Sequence, residues 1–147
     1  MKIPEKAWIN NKITNYKNSF KGCEKMNNEN ISGWDTTEAI DMSGMFEGCK
    51  NFNQDISGWN VLKVTNMSNM FYNATAFNQP LDGWDVSGVT NMSNMFAGAS
   101  AFNQSLDSWD VSSVTNMSGM FNNADAFNQP LNSWNVSNVT SMGYLFY

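Results

Sequence analysis

A repeat of 25 residues is the feature that most constrains how this chain can fold. An Ile or Leu stands three residues before each repeated Trp, a Met stands eight after it, and a Phe stands twelve after it. The repeated tryptophans are Trp34, Trp59, Trp84, Trp109 and Trp134. A single repeat of this length cannot bury its apolar face alone, so neighbouring repeats must stack and share one core.

A degenerate copy of the repeat opens the chain. Trp8 lies 26 residues before Trp34, and residues 8–20 parallel residues 59–71. The pattern therefore predicts a single repeat domain over residues 1–147, with one additional residue inserted before the first regular repeat.

Within this domain, residues 1–30 form a divergent first coil or an N-terminal cap, and residues 31–147 form regular repeats of which the last is incomplete. The alternative for the first segment is an unrelated amphipathic capping helix over residues 4–20.

The local pattern predicts two short elements in each repeat. Leu81, Trp84 and Val86 are spaced like the inward residues of a half-buried strand. The next apolar residues fall at i, i+3, i+4 and i+7, which is typical of one helical face: Met92, Met95, Phe96 and Ala99. The column that follows holds Gly or Asn, which suit the left-handed position after a helix: Gly48, Asn73, Gly98 and Asn123. We therefore predict an α/β solenoid of six stacked coils of about 25 residues, each a short strand plus a short helix.

Two kinds of column are predicted to point inward. A column means the residues at the same place in successive repeats. The five repeated tryptophans are assigned to the structural core. Asn66, Asn91 and Asn116, with Asp41 and Ser141 at the ends, are predicted to form an internal ladder that satisfies buried backbone groups. A second ladder is predicted for the Asn-Gln pairs, which begin at Asn53, Asn78, Asn103 and Asn128.

One column between the Trp and Val positions is predicted to lie on an exposed strand face: Asp35, Asn60, Asp85, Asp110 and Asn135. Asp85 and Asp110 are one rung apart, which raises an acid/base pair or a weak Ca²⁺ site as alternatives. This face has small neighbours and lacks the aromatic and Arg anchors of a tight binding site. A solvated edge is the favoured interpretation, and we predict no catalytic residue, no metal and no cofactor.

The Met columns offer soft ligands of the kind that select Cu(I). They share their stripe with Phe and Ala, so a core position is the favoured interpretation.

Cys23 and Cys49 occupy the same column in the first two coils. Neighbouring rungs bring such residues within disulfide range. Both a disulfide and a pair of buried thiols are compatible with this placement, and the absence of a visible export signal favours the thiols.

Charge and hydropathy narrow the range of possible binding partners. The net charge of −5 argues against nucleic-acid binding. No apolar run reaches the length of a membrane helix, so no membrane span is predicted. Residues 1–29 hold six Lys against three Glu, which gives +3, whereas residues 51–147 hold one Lys against six Asp, which gives −5. Residues 142–147 offer no polar cap. Either residues 1–7 of a second copy cover them in a head-to-tail filament, or the chain is a fragment of a longer repeat array.

The motif Phe-Asn-Gln-x-Leu-x-x-Trp-Asp-Val-Ser-x-Val-Thr-Asn-Met-Ser-x-Met-Phe resembles the 25-residue repeat of mycoplasma-type surface lipoproteins and of BspA-like leucine-rich-repeat surface proteins. The resemblance implies a leucine-rich-repeat-like fold, a location at the cell surface or outside the cell, and a protein-interaction or adhesion role. No signal peptide is visible in the first residues, so a cytoplasmic or virion-associated location stays open. We expect a non-catalytic interaction module, with a structural protomer that stacks head-to-tail as the alternative.

Overall fold

Stacked repeat units form the architecture. The computed structural model describes residues 12–26 and 30–147. Those residues contain no helix, and their extended pairing is confined to isolated parallel bridges. The bridges run in series through one residue of each unit: Asn15, Asp41, Asn66, Asn91, Asn116 and Ser141. Successive units therefore lie on one another in the register of the repeat.

The predicted α/β solenoid, with a strand and a helix in each coil, is wrong. The segment expected to be helical contains Asn94 at φ 53° and Gly98 at φ 70°, whereas a helix needs φ near −63° throughout. Two left-handed residues four positions apart break any helix into separate turns. Turns occupy the described part of the chain where helices were expected.

The backbone hydrogen bonds of this segment alternate in direction. The amides of Met92, Asn94 and Phe96 donate to carbonyls of the next unit at 2.8–2.9 Å. The amides of Met95 and Ala97 donate instead to the carbonyl three residues earlier, at 3.2 Å. Three of these amides therefore join the units and two close tight turns, while the Ser93 amide donates to the Asn91 side chain at 3.0 Å. The amides thus find partners without a helix.

Left-handed conformations occur in two columns. The column that was expected to end the helix does adopt them, with φ between 53° and 72° at Gly48, Asn73, Gly98 and Asn123. The second column lies four residues earlier and holds Asn18, Gly44, Asn69, Asn94, Gly119 and Tyr144, with φ between 53° and 63°. A Cβ placed on Gly119 would collide with the side chain of Asn94 in the unit before it. Asn and Gly therefore serve as turn residues here.

The segment predicted as a strand is also made of turns. The Trp84 amide donates to the Leu81 carbonyl at 3.0 Å, and the Val89 amide donates to the Val86 carbonyl at 2.9 Å. No bridge joins this segment to a neighbour among the described residues. Its apolar side chains are nevertheless buried, because two successive turns aim Leu81, Trp84 and Val86 at the same core.

The core is one continuous apolar cluster that runs through the stack. Its centre consists of two files of phenylalanine rings. One file joins Phe20, Phe46, Phe71, Phe96, Phe121 and Phe146, with ring centroids 5.4–5.8 Å apart. The other joins Phe52, Phe77, Phe102 and Phe127 at 5.6–6.0 Å. Rings of the two files also stack within a unit, as Phe71 and Phe77 do at 4.0 Å.

The tryptophans flank these files and bind the unit before them. Trp59, Trp84 and Trp109 are at most 3% exposed, while Trp34 and Trp134 are partly buried against the same cluster. In four of them the indole Nε1–H donates to the carbonyl 28 residues earlier: Trp59 to Ile31 at 3.0 Å, Trp84 to Ile56 at 3.2 Å, Trp109 to Leu81 at 2.9 Å and Trp134 to Leu106 at 2.9 Å.

Residues 12–26 share these features, since Asn15 bridges to Asp41 and Phe20 stacks on Phe46. No helix is present over residues 12–20, where the alternative expected one. Trp8 and residues 1–7, on which the copy at the start and the filament contact depend, lie outside the described residues.

Candidate functional site

The predicted exposed strand face is a column of turns instead of a strand. We call it the turn column: Asp35, Asn60, Asp85, Asp110 and Asn135, all of which are exposed. Each side chain accepts a hydrogen bond at 3.0–3.1 Å from the backbone N–H two residues later. Asp and Asn make this local turn equally well, which accounts for their exchange within the column.

The carboxylates of the turn column are engaged by their own turns. Hydrogen bonds from the Ser87 hydroxyl and backbone N–H hold the pKa of Asp85 below its usual range. Thr37 and Ser112 lower the pKa of Asp35 and Asp110 in the same way. A general base needs a raised pKa and a protected site, and these exposed groups have neither. Within the described ranges, no three acidic, Cys or His side chains are grouped as a metal site would require.

In the Asn column that forms the bridges, the backbone and the side chain have different roles. The backbones of Asn66, Asn91 and Asn116 form the parallel bridges. Their side chains are half-buried, and each accepts from the backbone N–H two residues later at 3.0–3.1 Å. The contacts between units in this column therefore come from the backbone, and the side chains fix the turn that follows.

The predicted ladder of Asn-Gln pairs is confirmed. The side-chain Oδ1 of Asn53 accepts from the Asn78 backbone N–H at 2.9 Å and from the Gln79 side chain at 3.0 Å. Asn78 and Asn103 repeat the arrangement with the units that follow them, at 2.9–3.0 Å. These amides act as a side-chain clamp between units and hold the side of the stack in register.

Five of the seven exposed large apolar side chains of the described residues lie in the last unit. We call the surface that they form the end face: Val136, Met142, Tyr144, Phe146 and Tyr147, which are 39–83% exposed. The residues that correspond to Met142 and Phe146 one unit earlier, Met117 and Phe121, are 0% and 3% exposed. The end face is therefore a core-type surface that no described residue covers.

The end face also carries free hydrogen-bond donors. In each unit before it, three amides equivalent to those of Met142, Tyr144 and Phe146 donate to the next unit. Among the described residues, these three amides find no acceptor. The face thus combines apolar rings with a row of backbone N–H groups, which is the complement of a further repeat unit.

Other exposed apolar side chains stand singly on the flank. Ile40 and Leu62 are 46% and 53% exposed. They replace the Thr and Ser of their columns, and isolated apolar residues of this kind are normal on a protein surface.

The two cysteines are free thiols in different environments. Cys23 is exposed and Cys49 is buried. The Cys49 thiol donates a hydrogen bond to the Phe20 carbonyl at 2.9 Å. Only one of the two thiols is therefore buried, and the pairing itself stays a prediction.

Comparison with known proteins identifies the repeat. A family model described as Mycoplasma protein of unknown function, DUF285, matches residues 2–92 and again residues 80–147. The chain belongs to this family. The two overlapping matches span nearly the whole DUF285 chain, as expected for one repeated unit. No curated protein matches the chain, and no solved structure matches it.

In the described part of this DUF285 chain, no helix is long and apolar enough to span a membrane. Two features of the stack were not predicted from the sequence. The indole bonds between units left no separate signal, whereas the second left-handed column was visible as Asn or Gly in the middle of an apparent helical face.

Proposed function

We propose that this DUF285 chain is a non-catalytic protein-interaction module of a surface-type protein, and that the end face is a surface onto which a further repeat unit packs. The observation that carries the proposal is the combination of exposed rings and unpaired amides on that face. The Phe146 ring stacks on Phe121 at 5.4 Å but is itself 60% exposed.

Both components of the end face favour a polypeptide partner. Burial of an aromatic or aliphatic side chain stabilises a contact by about 1.5–3 kcal/mol. The amides of Met142, Tyr144 and Phe146 need acceptors once water is excluded, because an unpaired buried N–H is costly. A partner must therefore supply apolar side chains together with a row of backbone carbonyls. Another repeat unit of the same type presents both.

The flank of the stack is a weaker candidate. Its exposed column consists of small Asp, Asn and Ser side chains whose hydrogen bonds are already made within their own turns. Such groups gain little from a partner, because new bonds would replace existing ones.

The resemblance to repeats of mycoplasma-type surface lipoproteins and BspA-like surface proteins supports a location at the cell surface or outside the cell, and an adhesion role there. The net charge of −5 supports a protein partner over a nucleic acid.

Self-association of the purified chain tests the end face, since a second copy is the partner present in such a solution. Sedimentation velocity over a range of concentrations should show reversible association. Phe146→Asp should weaken it at least tenfold, because the change places a charge among apolar rings. Leu62→Asp is the matched control, on an equally exposed flank position, and should have no effect. A wild-type chain that stays monomeric throughout would contradict the proposal, as would equal weakening by both variants.

A structural protomer that stacks head-to-tail is the second candidate. The specific observation in its favour is that the carbonyls of Asn15, Lys17 and Ser19 accept no backbone hydrogen bond among the described residues. In later units the equivalent carbonyls accept from the unit before. The first segment also carries +3 against −5 for residues 51–147, which favours head-to-tail contact.

The burial of the first unit distinguishes the two candidates. Tyr16 and Phe20 are 2% and 6% exposed, so the first unit offers little apolar surface to an incoming end face. Association that stops at a dimer would contradict docking on the end face, because two end faces present N–H groups to each other and neither supplies the row of carbonyls. Open-ended growth indicates head-to-tail stacking, because a heterologous contact that does not close produces fibres.

A further inference from the structure

We propose that Cys23 and Cys49 are a built disulfide site, in which the exposed Cys23 reacts first with a low-molecular-weight disulfide and Cys49 then closes the bond. The product would clip the first unit covalently to the second. This inference concerns the other end of the stack from the end face and does not depend on the proposed function.

Contacts directly before the pair place the cysteines on adjacent rungs. The Gly22 amide donates to the Glu47 carbonyl at 2.6 Å. A Cβ built on Gly48 would lie 3.7 Å from the Gly22 Cα atom. Cys23 and Cys49 follow these two glycines directly, so their backbones run side by side at the spacing of neighbouring rungs. That spacing, about 5 Å, is within the Cα separation of disulfides.

The two cysteines also share one acceptor. The Phe20 carbonyl accepts from the Cys23 backbone N–H at 2.9 Å and from the Cys49 thiol at 2.9 Å. Later units hold Ala74, Ala99 and Ala124 in this column, so nothing larger than a methyl group is needed there for packing. The two thiols are the exception, and they occur in adjacent units.

The environments of the thiols set the order of reaction. Cys23 is exposed and open to an external disulfide, whereas Cys49 is buried. Burial raises the pKa of Cys49 to about 11, and it outweighs the backbone hydrogen bonds of Cys23 and Gly22, which lower the pKa. Because the thiolate is the nucleophile, Cys49 is a poor first attacker at neutral pH.

The chemistry balances as two thiol–disulfide exchanges. The Cys23 thiolate attacks an external disulfide RSSR, forms Cys23–S–S–R and releases RS⁻. The Cys49 thiolate then attacks the Cys23 sulfur, forms the Cys23–Cys49 bond and releases the second RS⁻. Two protein thiols are oxidised, RSSR is reduced to two RSH, and the two protons pass to the departing thiolates. The second step should accelerate about tenfold per pH unit between pH 7 and 9, as the Cys49 thiolate fraction rises.

Oxidised glutathione is the probe for the experiment. The full chain is incubated with it at pH 7 and pH 9, quenched with acid, and analysed by intact mass and peptide mapping. We expect a transient Cys23–glutathione adduct followed by a Cys23–Cys49 bond, with faster closure at pH 9. The closed form should melt on the order of 5–10 °C above the reduced form.

Two variants keep the outcome decisive. Cys49→Ala, which places the residue of the later units there, should accumulate the Cys23 adduct without closure. Cys23→Ser should leave Cys49 unmodified in the folded chain. A wild-type adduct that never closes at pH 9 would overturn the proposal, as would modification of Cys49 in Cys23→Ser as fast as Cys23 reacts in the wild type.

Discussion

Trp84 shows how a single side chain joins two units. Its ring is 3% exposed within the core, and its Nε1–H donates to the Ile56 carbonyl of the preceding unit at 3.2 Å. The 25-residue period was enough to place the Trp columns against a shared core, because only stacking could bury so many large rings. The hydrogen bond could not be predicted in the same way, because the period does not give the position of the Ile56 carbonyl.

Substitutions of Trp84 separate these two contributions. Trp84→Ala should lower the free energy of unfolding by about 3–5 kcal/mol through loss of the ring. Trp84→Phe keeps most of the apolar volume and leaves the Ile56 carbonyl with the Trp59 amide as its remaining donor. The loss of the indole bond should therefore cost about 0.5–1.5 kcal/mol. Urea unfolding measures both, with Leu62→Ala as an exposed control expected within about 0.5 kcal/mol of wild type. Equal effects of Trp84→Phe and the control would contradict the role of the indole bond.

Acid should weaken the fold through the aspartates of the turns. The pKa of Asp35, Asp85 and Asp110 is lowered in the folded chain by hydrogen bonds from the hydroxyl and N–H groups two residues later. A lowered folded pKa contributes stability above the unfolded value, about 3.9, and loses it as the pH falls through the folded pKa.

Asn already occupies this position of the turn at residues 60 and 135. Replacement of the three aspartates by Asn should therefore flatten the pH dependence of stability below about pH 4. Urea midpoints between pH 7 and pH 3 measure this. An unchanged slope in the triple variant would show that other groups carry the acid sensitivity.

At the scale of the element, the turn segment is where the sequence was misleading. Met92, Met95, Phe96 and Ala99 have helical spacing, yet all four are buried without a helix. Two turns of four residues each return side chains to the same face at i, i+3, i+4 and i+7, so spacing alone does not separate them from a helix. The distinguishing signal was Asn94, in a column of Asn and Gly in the middle of the apparent helical face.

A turn and a helix at Asn94 predict opposite effects of substitution on stability. At φ 53°, Asn94→Ala should destabilise the chain by about 1–2 kcal/mol, because a Cβ is unfavourable in the left-handed region. Asn94→Gly should be tolerated within about 1 kcal/mol. In a helix the order reverses, since Ala is the best helix former and Gly is among the worst. Urea unfolding of the two variants therefore contradicts the turn assignment if Asn94→Ala is the more stable of the two.

At the scale of the whole molecule, the register of the stack was predictable and its backbone conformation was not. Columns spaced by 25 residues meet at the bridges from Asp41 to Ser141 and along both phenylalanine files. The Asn-Gln ladder also followed from repetition alone, because identical amides on neighbouring rungs can bond in series. Backbone conformation depends instead on whether each amide donates within its own turn or to the next unit. Left-handed residues determine which of the two occurs. The same residue types also occur at other turns and at helix ends, so the sequence alone did not reveal the conformation.

Hydrogen-bond scalar couplings in the NMR spectrum of the isotopically labelled chain test the stacked-turn architecture most directly. The account predicts couplings from the amide nitrogens of Met92, Asn94 and Phe96 to the carbonyl carbons of Asn116, Ser118 and Met120, the acceptors in the next unit. Couplings from the same amides to carbonyls four residues earlier in the chain would contradict it, because they would show a helix in each repeat.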